Sequence, residues 1–250
     1  MTMNFDHIVL LVDDLDTAAQ DFETLGFTVL ERADTSHGAT AFRFISFVDG
    51  SYILLTTFTS DAARAGHRLG PVMDDGEGLA DYSFTVADAK AAGAALAAKG
   101  LPVRGPVAVS NVIATGEAWA LDLLMTGRGA DGDVALPFVV SDVTGRAARI
   151  PGPSVHANGT TGILSVAIST DTPQQVVDTL VALGGTADAT NGLRVDMGDG
   201  AYVEVLSPAV IPGGRATGGM VNLVLKGIAD GELNPALTHG APILIRGAAQ

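Results

Sequence analysis

Apolar runs of strand length alternate with amphipathic stretches of helix length, in an order that recurs three times along the chain. Near the start, "FDHIVLLV" (5–12) reads as a buried strand. A helix is predicted over about 15–25, with Ala18, Ala19, Phe22 and Leu25 at helical spacing, followed by the strand-like segments "GFTVLERAD", "TAFRFISFVD" and "SYILLTTF". The second copy begins at "ADYSFTVAD" (80–88), runs through an alanine-rich helix ending at "AAKG", and closes with "LPVRGPVAV", "EAWALDLLM" and "DVALPFVVSD". The third begins at "GILSVAIST" (162–170), opens its helix at Thr172-Pro173, ends it at "ALGG" and continues in shorter strands. Gly26, Gly100 and Gly184 fall at equivalent helix ends, where glycine supplies a left-handed cap. Asp49-Gly50 and Asp199-Gly200 mark matching hairpin turns, so that "DGSYILL" lies on "DGAYVEV", Tyr52 on Tyr202 and Leu54 on Glu204.

This repetition predicts an α+β fold of repeated βαβββ modules. Module 1 covers about 4–59 and module 2 about 80–142, the two pairing around a curved-sheet cleft within residues 1–142. A connector follows at 143–161, and residues 162–250 hold a third, shorter module and a C-terminal tail. Ser60–Leu79 reads as a linker rich in glycine and charge.

Composition narrows the chemistry. With 250 residues, 47% of them hydrophobic, there is enough apolar material for a sizeable core. A net charge of -14 would be repelled by a phosphate backbone or an anionic membrane, so neither nucleic acid nor membrane is an expected partner. The absence of cysteine excludes disulfides, thiolate metal sites and cysteine nucleophiles. The N-terminus lacks a basic leader, and no apolar run approaches the roughly 20 residues of a membrane span, so a cytoplasmic protein is expected. No GxGxxG, Walker-type loop or GxSxG elbow is present.

Strand alternation places His7 on one face with Phe5, Val9 and Leu11, and Ile8, Leu10 and Val12 on the other, which suits the helix-covered side. The inward face is then His7, Val9, Tyr52, Leu54, Tyr82 and Phe84, with either Arg43 or Phe42 and Phe44 from "AFRFISF". That is an aromatic, apolar lining with a few polar tips, as small-molecule sites usually present. The connector brings Asp142, Arg146, Arg149 and His156, and is long enough to lap over the cleft mouth. Arg146 or Arg149 could hold a ligand carboxylate or phosphate by a bidentate pair. Alternatively, both arginines bond Asp142 and local carbonyls and pin the connector. Trp119 either lines the cleft or packs between sheet and helix.

Two stretches carry a family resemblance: "FDHIVLLVDDLDTAAQDFETLGF" with "DGSYILL", and "LPFVVSDVTGRAARIPGPSVHANGTTGI". Over most of its length the chain resembles the vicinal oxygen chelate superfamily, the glyoxalase, bleomycin-resistance and extradiol-dioxygenase fold, and within it a bacterial glyoxalase-like group. The resemblance implies a divalent metal held from the first and fourth strands of each paired module, acting as Lewis acid on adjacent ligand oxygens. Position by position the match is thin. His7 stands at the first ligand position, Tyr82 at its counterpart in module 2, Leu54 replaces the glutamate, and the segment 134–140 contains no acid, histidine or glutamine. One imidazole does not hold a divalent ion against water, so no cofactor is expected; a metal would need relocated ligands such as His7, His37 or His156. In the third module Glu204 occupies the glutamate position but Leu164 the strand-one position, while His67 and His239 fall in a linker and the tail.

Three readings follow. The first is a small-molecule-binding cleft without the usual metal, used for sequestration or for acid–base chemistry by His7. The second is a metal-dependent glyoxalase-type lyase, isomerase or dioxygenase with relocated ligands. The third is a non-catalytic scaffold, which a cleft filled by its own side chains would favour. The third module must also pack on the pair or on another copy of the chain, which leaves a homodimer as one arrangement.

Overall fold

The computed structural model describes residues 3–34, 38–206 and 218–247. Module 1 supplies β1 (Met3–Leu11), α1 (Leu15–Thr24), β2 (Thr40–Ser46) and β3 (Tyr52–Phe58), and module 2 supplies β4 (Gly78–Val86), α3 (Ala89–Ala98), β5 (Arg104–Val112), β6 (Ala118–Met125) and β7 (Phe138–Thr144). Between them lie a short helix α2 (Asp61–Ala65) and a 3-10 turn (Gly70–Asp75); after them come α4 (Arg146–Arg149) and β8 (Gly162–Ser169). The chain continues through α5 (Pro173–Leu183), β9 (Thr186–Ala187), β10 (Arg194–Gly198) and β11 (Ala201–Leu206) to β12 (Gly219–Gly227), β13 (Gly231–Glu232) and β14 (Ile243–Gly247). Asp14 and Asp88 cap α1 and α3 by accepting backbone N–H bonds, Asp14 from Thr17 at 2.7 Å.

The paired modules form one curved seven-stranded sheet in the order β2-β3-β1-β4-β7-β6-β5. The two first strands, β1 and β4, run antiparallel at its centre, and each has the last strand of its own module parallel beside it. The shorter third module builds a second seven-stranded sheet, β13-β14-β12-β8-β11-β10-β9, on the same plan. There β8 pairs antiparallel with β12, β11 lies parallel beside β8, and β14 lies parallel beside β12. The third module thus finds a strand partner in the C-terminal stretch of its own chain. That stretch acts as a reduced fourth unit in which no α-helix separates β12 from β14.

One apolar core unites the helix-bearing faces of both sheets, drawing on Ile8, Leu10 and Ile53 of the first, Val166 and Val203 of the second, and Phe22, Leu96 and Leu180 from the three long helices. The other face of the first sheet is concave. Its two edges are brought together by residues 30–34, where "GFTVLERAD" was expected to form a strand. Leu30 bridges to Phe44 of β2, Asp34 bridges to Ile113 just past β5, and Ala114 N–H donates to the Ala33 carbonyl at 2.7 Å. Instead of extending the sheet, this segment straps it.

Candidate functional site

The site begins with an irregularity in β1. The ladder with β4 slips between Phe5 and His7, a β-bulge that places two residues where one would pass. Phe5 therefore joins Ile8 in the helix-side core, against simple alternation, and both Asp6 and His7 turn to the concave side. His7 stacks on Tyr52 with ring centroids 4.7 Å apart and meets the edge of Phe138 at 5.2 Å.

Asp6 is fully buried and lies at the centre of a bonded cluster. One carboxylate oxygen meets His7 Nδ1 at 2.8 Å and accepts from Tyr52 OH at 3.2 Å and Arg149 Nη1 at 3.3 Å; the other accepts from Arg149 Nη2 at 3.2 Å and Arg146 Nη1 at 2.8 Å. Arg149 also donates to the Tyr52 hydroxyl at 2.9 Å and grips Asp142 through Nε at 2.8 Å and Nη2 at 3.1 Å. Arg146 donates to Asp142 at 2.7 Å and to the Gly50 carbonyl at 3.0 Å. Two acids and two arginines thus compensate one another, as burial requires.

Asp142 is available because the strand sits further along than expected. Pro137 lacks the N–H a ladder needs, so β7 begins at Phe138 and runs through Asp142. The arginines come from α4, whose entry is held by Gly145 at φ 70°; a Cβ there would lie 2.3 Å from the Ala118 carbonyl oxygen.

The electrostatics fix the protonation pattern. Burial opposes ionisation of Asp6, but the hydrogen bond from His7 and the charges of Arg149 and Arg146 overcome it and hold the carboxyl well below its ordinary range. Burial pushes His7 below the ordinary imidazole range, more strongly than Asp6 lifts it. Burial and the Asp6 charge drive the Tyr52 phenol far up, so it stays protonated. An ionised Asp6 only accepts, so His7 Nδ1 carries the proton and Nε2 carries a lone pair. Among the described residues Nε2 has no hydrogen-bond partner, and 7% of the His7 side chain reaches solvent.

The expected lining separates into two groups. His7, Val9, Tyr52, Leu54, Phe42 and Phe44 share the concave side. Tyr82 and Phe84 do not: both are in the helix-side core, Tyr82 donating to the Ala135 carbonyl at 2.8 Å, because a second slip at Ala80-Asp81 turns Asp81 inward in place of Tyr82. Arg43 points away to Asp16 at 3.1 Å and Glu31 at 3.5 Å on the α1 side. His156 is buried between Phe27 and Phe47, its Nδ1 accepting from Thr28 N–H at 3.0 Å, and so packs the connector down rather than facing the concave side. Trp119 does face that side. His37 lies outside the described residues.

Other groups on this face went unforeseen. Arg32, from the strap, lies over the rings of Phe44 and Trp119, each 5.1 Å from the guanidinium, and donates to the Arg149 carbonyl. Arg68 pairs with Asp81 and covers Phe138 at 4.8 Å, and Leu69, Val72 and Met73 pack beside it, so the predicted linker is part of the filling. Asp6 and Asp81 are the same position of the repeat, "FDHIV" against "ADYSF", each answered by an arginine from the segment after its partner module. That repeated aspartate inside apolar strands was the available signal.

The donor set does not fit the metal that the fold implies. Leu54 has no ligating atom, Tyr82 faces the other way, and His7 Nδ1 is engaged with Asp6. The nearby carboxylates are occupied by arginines. Among the described residues no group of three or more His, Asp or Glu side chains could hold a metal ion.

Paired βαβββ modules around a concave sheet define the vicinal oxygen chelate class. The chain belongs to the glyoxalase-like domain family, whose sequence profile matches residues 5–184. None of the curated proteins matches it. Among solved structures it is similar to a hypothetical protein from Staphylococcus aureus, with 14% identity, TM-score 0.73, and coverage of 98% of this chain and 100% of that one. It is also similar to a triple mutant of 4-hydroxymandelate synthase from Streptomyces coelicolor, with 15% identity, TM-score 0.59, and coverage of 94% and 78%. At these identities the likeness is one of fold.

Proposed function

We propose that the chain binds a small carbonyl compound at the concave side of its first sheet and that His7 acts on it as a general base, without the metal usual in this fold. One observation carries the reading: the buried Asp6 carboxylate meets His7 Nδ1 at 2.8 Å, and among the described residues Nε2 has no hydrogen-bond partner. A base held this way needs no activation, because its lone pair is already presented and Asp6 stabilises the imidazolium that forms on proton transfer. The Arg146–Arg149–Asp142 frame would act by position, keeping Asp6 ionised and oriented.

A non-catalytic scaffold is the second reading, favoured by the filling of the same face. Arg149, Trp119, Phe138 and Leu54 are all below 10% exposed. Solvent deuterium exchange separates the two. The protein is incubated in deuterium oxide with a panel of small ketones and 2-oxo acids bearing acidic α-hydrogens, and exchange is followed by proton NMR. The proposal expects exchange above buffer for at least one compound, lost in His7→Ala and slowed at least tenfold in Asp6→Asn. Exchange no faster than buffer across the panel supports the scaffold instead.

A further inference from the structure

Beside the Asp6 cluster lies a cavity of about 390 Å³, formed where the connector passes over the turn between β2 and β3. Its walls are chiefly apolar, from Phe47, Val48, Ile150, Pro151 and Pro153. Two features of its polar lining bear on what it would hold. The first is Arg146, whose side chain remains 36% exposed at the cavity. A guanidinium has five N–H donors. Three are engaged, with Asp6, Asp142 and the Gly50 carbonyl, which leaves Nε–H and one Nη2–H free among the described residues. The second is Ser46, a wall residue whose buried hydroxyl has no hydrogen-bond partner among the described residues.

We propose that this cavity is a binding site for a small apolar carboxylic acid, its hydrocarbon body against Phe47, Ile150 and Pro151 and its carboxylate on the free donors of Arg146. A carboxylate matches a pair of guanidinium N–H groups in geometry and charge. The volume lies in the range of sites for small organic ligands. Arg149 is not the anchor: it is 4% exposed and committed to Asp6, Asp142 and Tyr52. The site deepens the small-molecule reading of the first sheet and rests on it. It also touches His7 through two bonds, since Arg146 holds one oxygen of Asp6 and His7 meets the other.

Phenylacetate is the test probe and phenylacetamide its uncharged counterpart, each titrated into the isotopically labelled protein and followed by amide chemical shifts. The proposal expects saturable shifts at Gly50, Ser51, Ala147 and Gly152 with phenylacetate, and binding at least tenfold weaker with the amide. Arg146→Gln should remove that preference, but it also disturbs the Asp6 cluster. Val48→Asp is the safer variant, because Val48 is 59% exposed at the rim and its replacement leaves the core intact. It should weaken phenylacetate about tenfold and leave the amide unchanged. Equal binding of the two compounds, shifts elsewhere on the protein, or no binding would each overturn the site. Deuterium exchange reads His7 and this titration reads the cavity, so either proposal can fail alone.

Discussion

Arg149 reaches Asp6 across 143 positions of sequence, its Nη2 lying 3.2 Å from one carboxylate oxygen and its Nη1 3.3 Å from the other. The contact fastens the connector to the centre of the first sheet, and it is what makes a buried aspartate tolerable beneath an imidazole.

Removing Arg149 should therefore cost far more than a surface arginine would. Arg149→Met leaves Asp6 and Asp142 with one cation between them, and the loss of a partner from a buried pair is typically about 3–5 kcal/mol. Arg149→Lys should recover only part of this, because one ammonium cannot reach Asp6, Asp142 and the Tyr52 hydroxyl in the geometry of the fork. Urea unfolding midpoints at neutral pH measure both; a loss under about 1 kcal/mol for Arg149→Met would show that the cluster is not what holds the connector.

Arg32 tests the strap. Its guanidinium lies between Phe44 on one edge of the sheet and Trp119 near the other, so Arg32→Met should loosen the closure at a cost of about 1–3 kcal/mol. Trp119 is the only tryptophan and is buried, which makes its emission a local reporter. A red shift in the folded variant is expected; an unchanged spectrum would mean that the edges stay together without Arg32.

Acid should weaken the fold in two stages. Burial holds His7, His67 and His156 below the ordinary imidazole value, so as pH falls the unfolded chain takes up protons before the folded one does. Stability from these groups is complete above roughly pH 6.5 and is lost as pH falls toward their folded values. Asp6, also depressed, holds its contribution until pH drops below the ordinary carboxylate range of roughly 4, where the second loss begins. Melting temperature should decline from pH 7.5 to 5.5, and His7→Asn should make that decline shallower. A flat profile over this window would contradict the buried neutral imidazole.

The repeat was legible because strand order, helix ends and hairpin turns recur at matching positions, and those features are set locally. The site was less so. Alternation assigns one face to every second residue, and the two bulges, at Asp6-His7 and Ala80-Asp81, each break that rule by one position. They bring Asp6 and Asp81 inward, and the second leaves Tyr82 in the core. Arg32 lies in a segment that reads as a strand and Arg68 in one that reads as a linker, and their roles arise only when the sheet curls. The C-terminal strands escaped notice for a related reason: without a helix between β12 and β14, the fourth unit does not repeat the pattern of the other three.

The central claim concerns one proton. Nitrogen-15 NMR of the histidine side chains, with His7 assigned by its loss in His7→Asn, reports both tautomer and charge. The account predicts a neutral ring at pH 7 with the proton on Nδ1, an unprotonated Nε2, and titration below the ordinary imidazole value. A ring protonated on Nε2, or an imidazolium at pH 7, would contradict it.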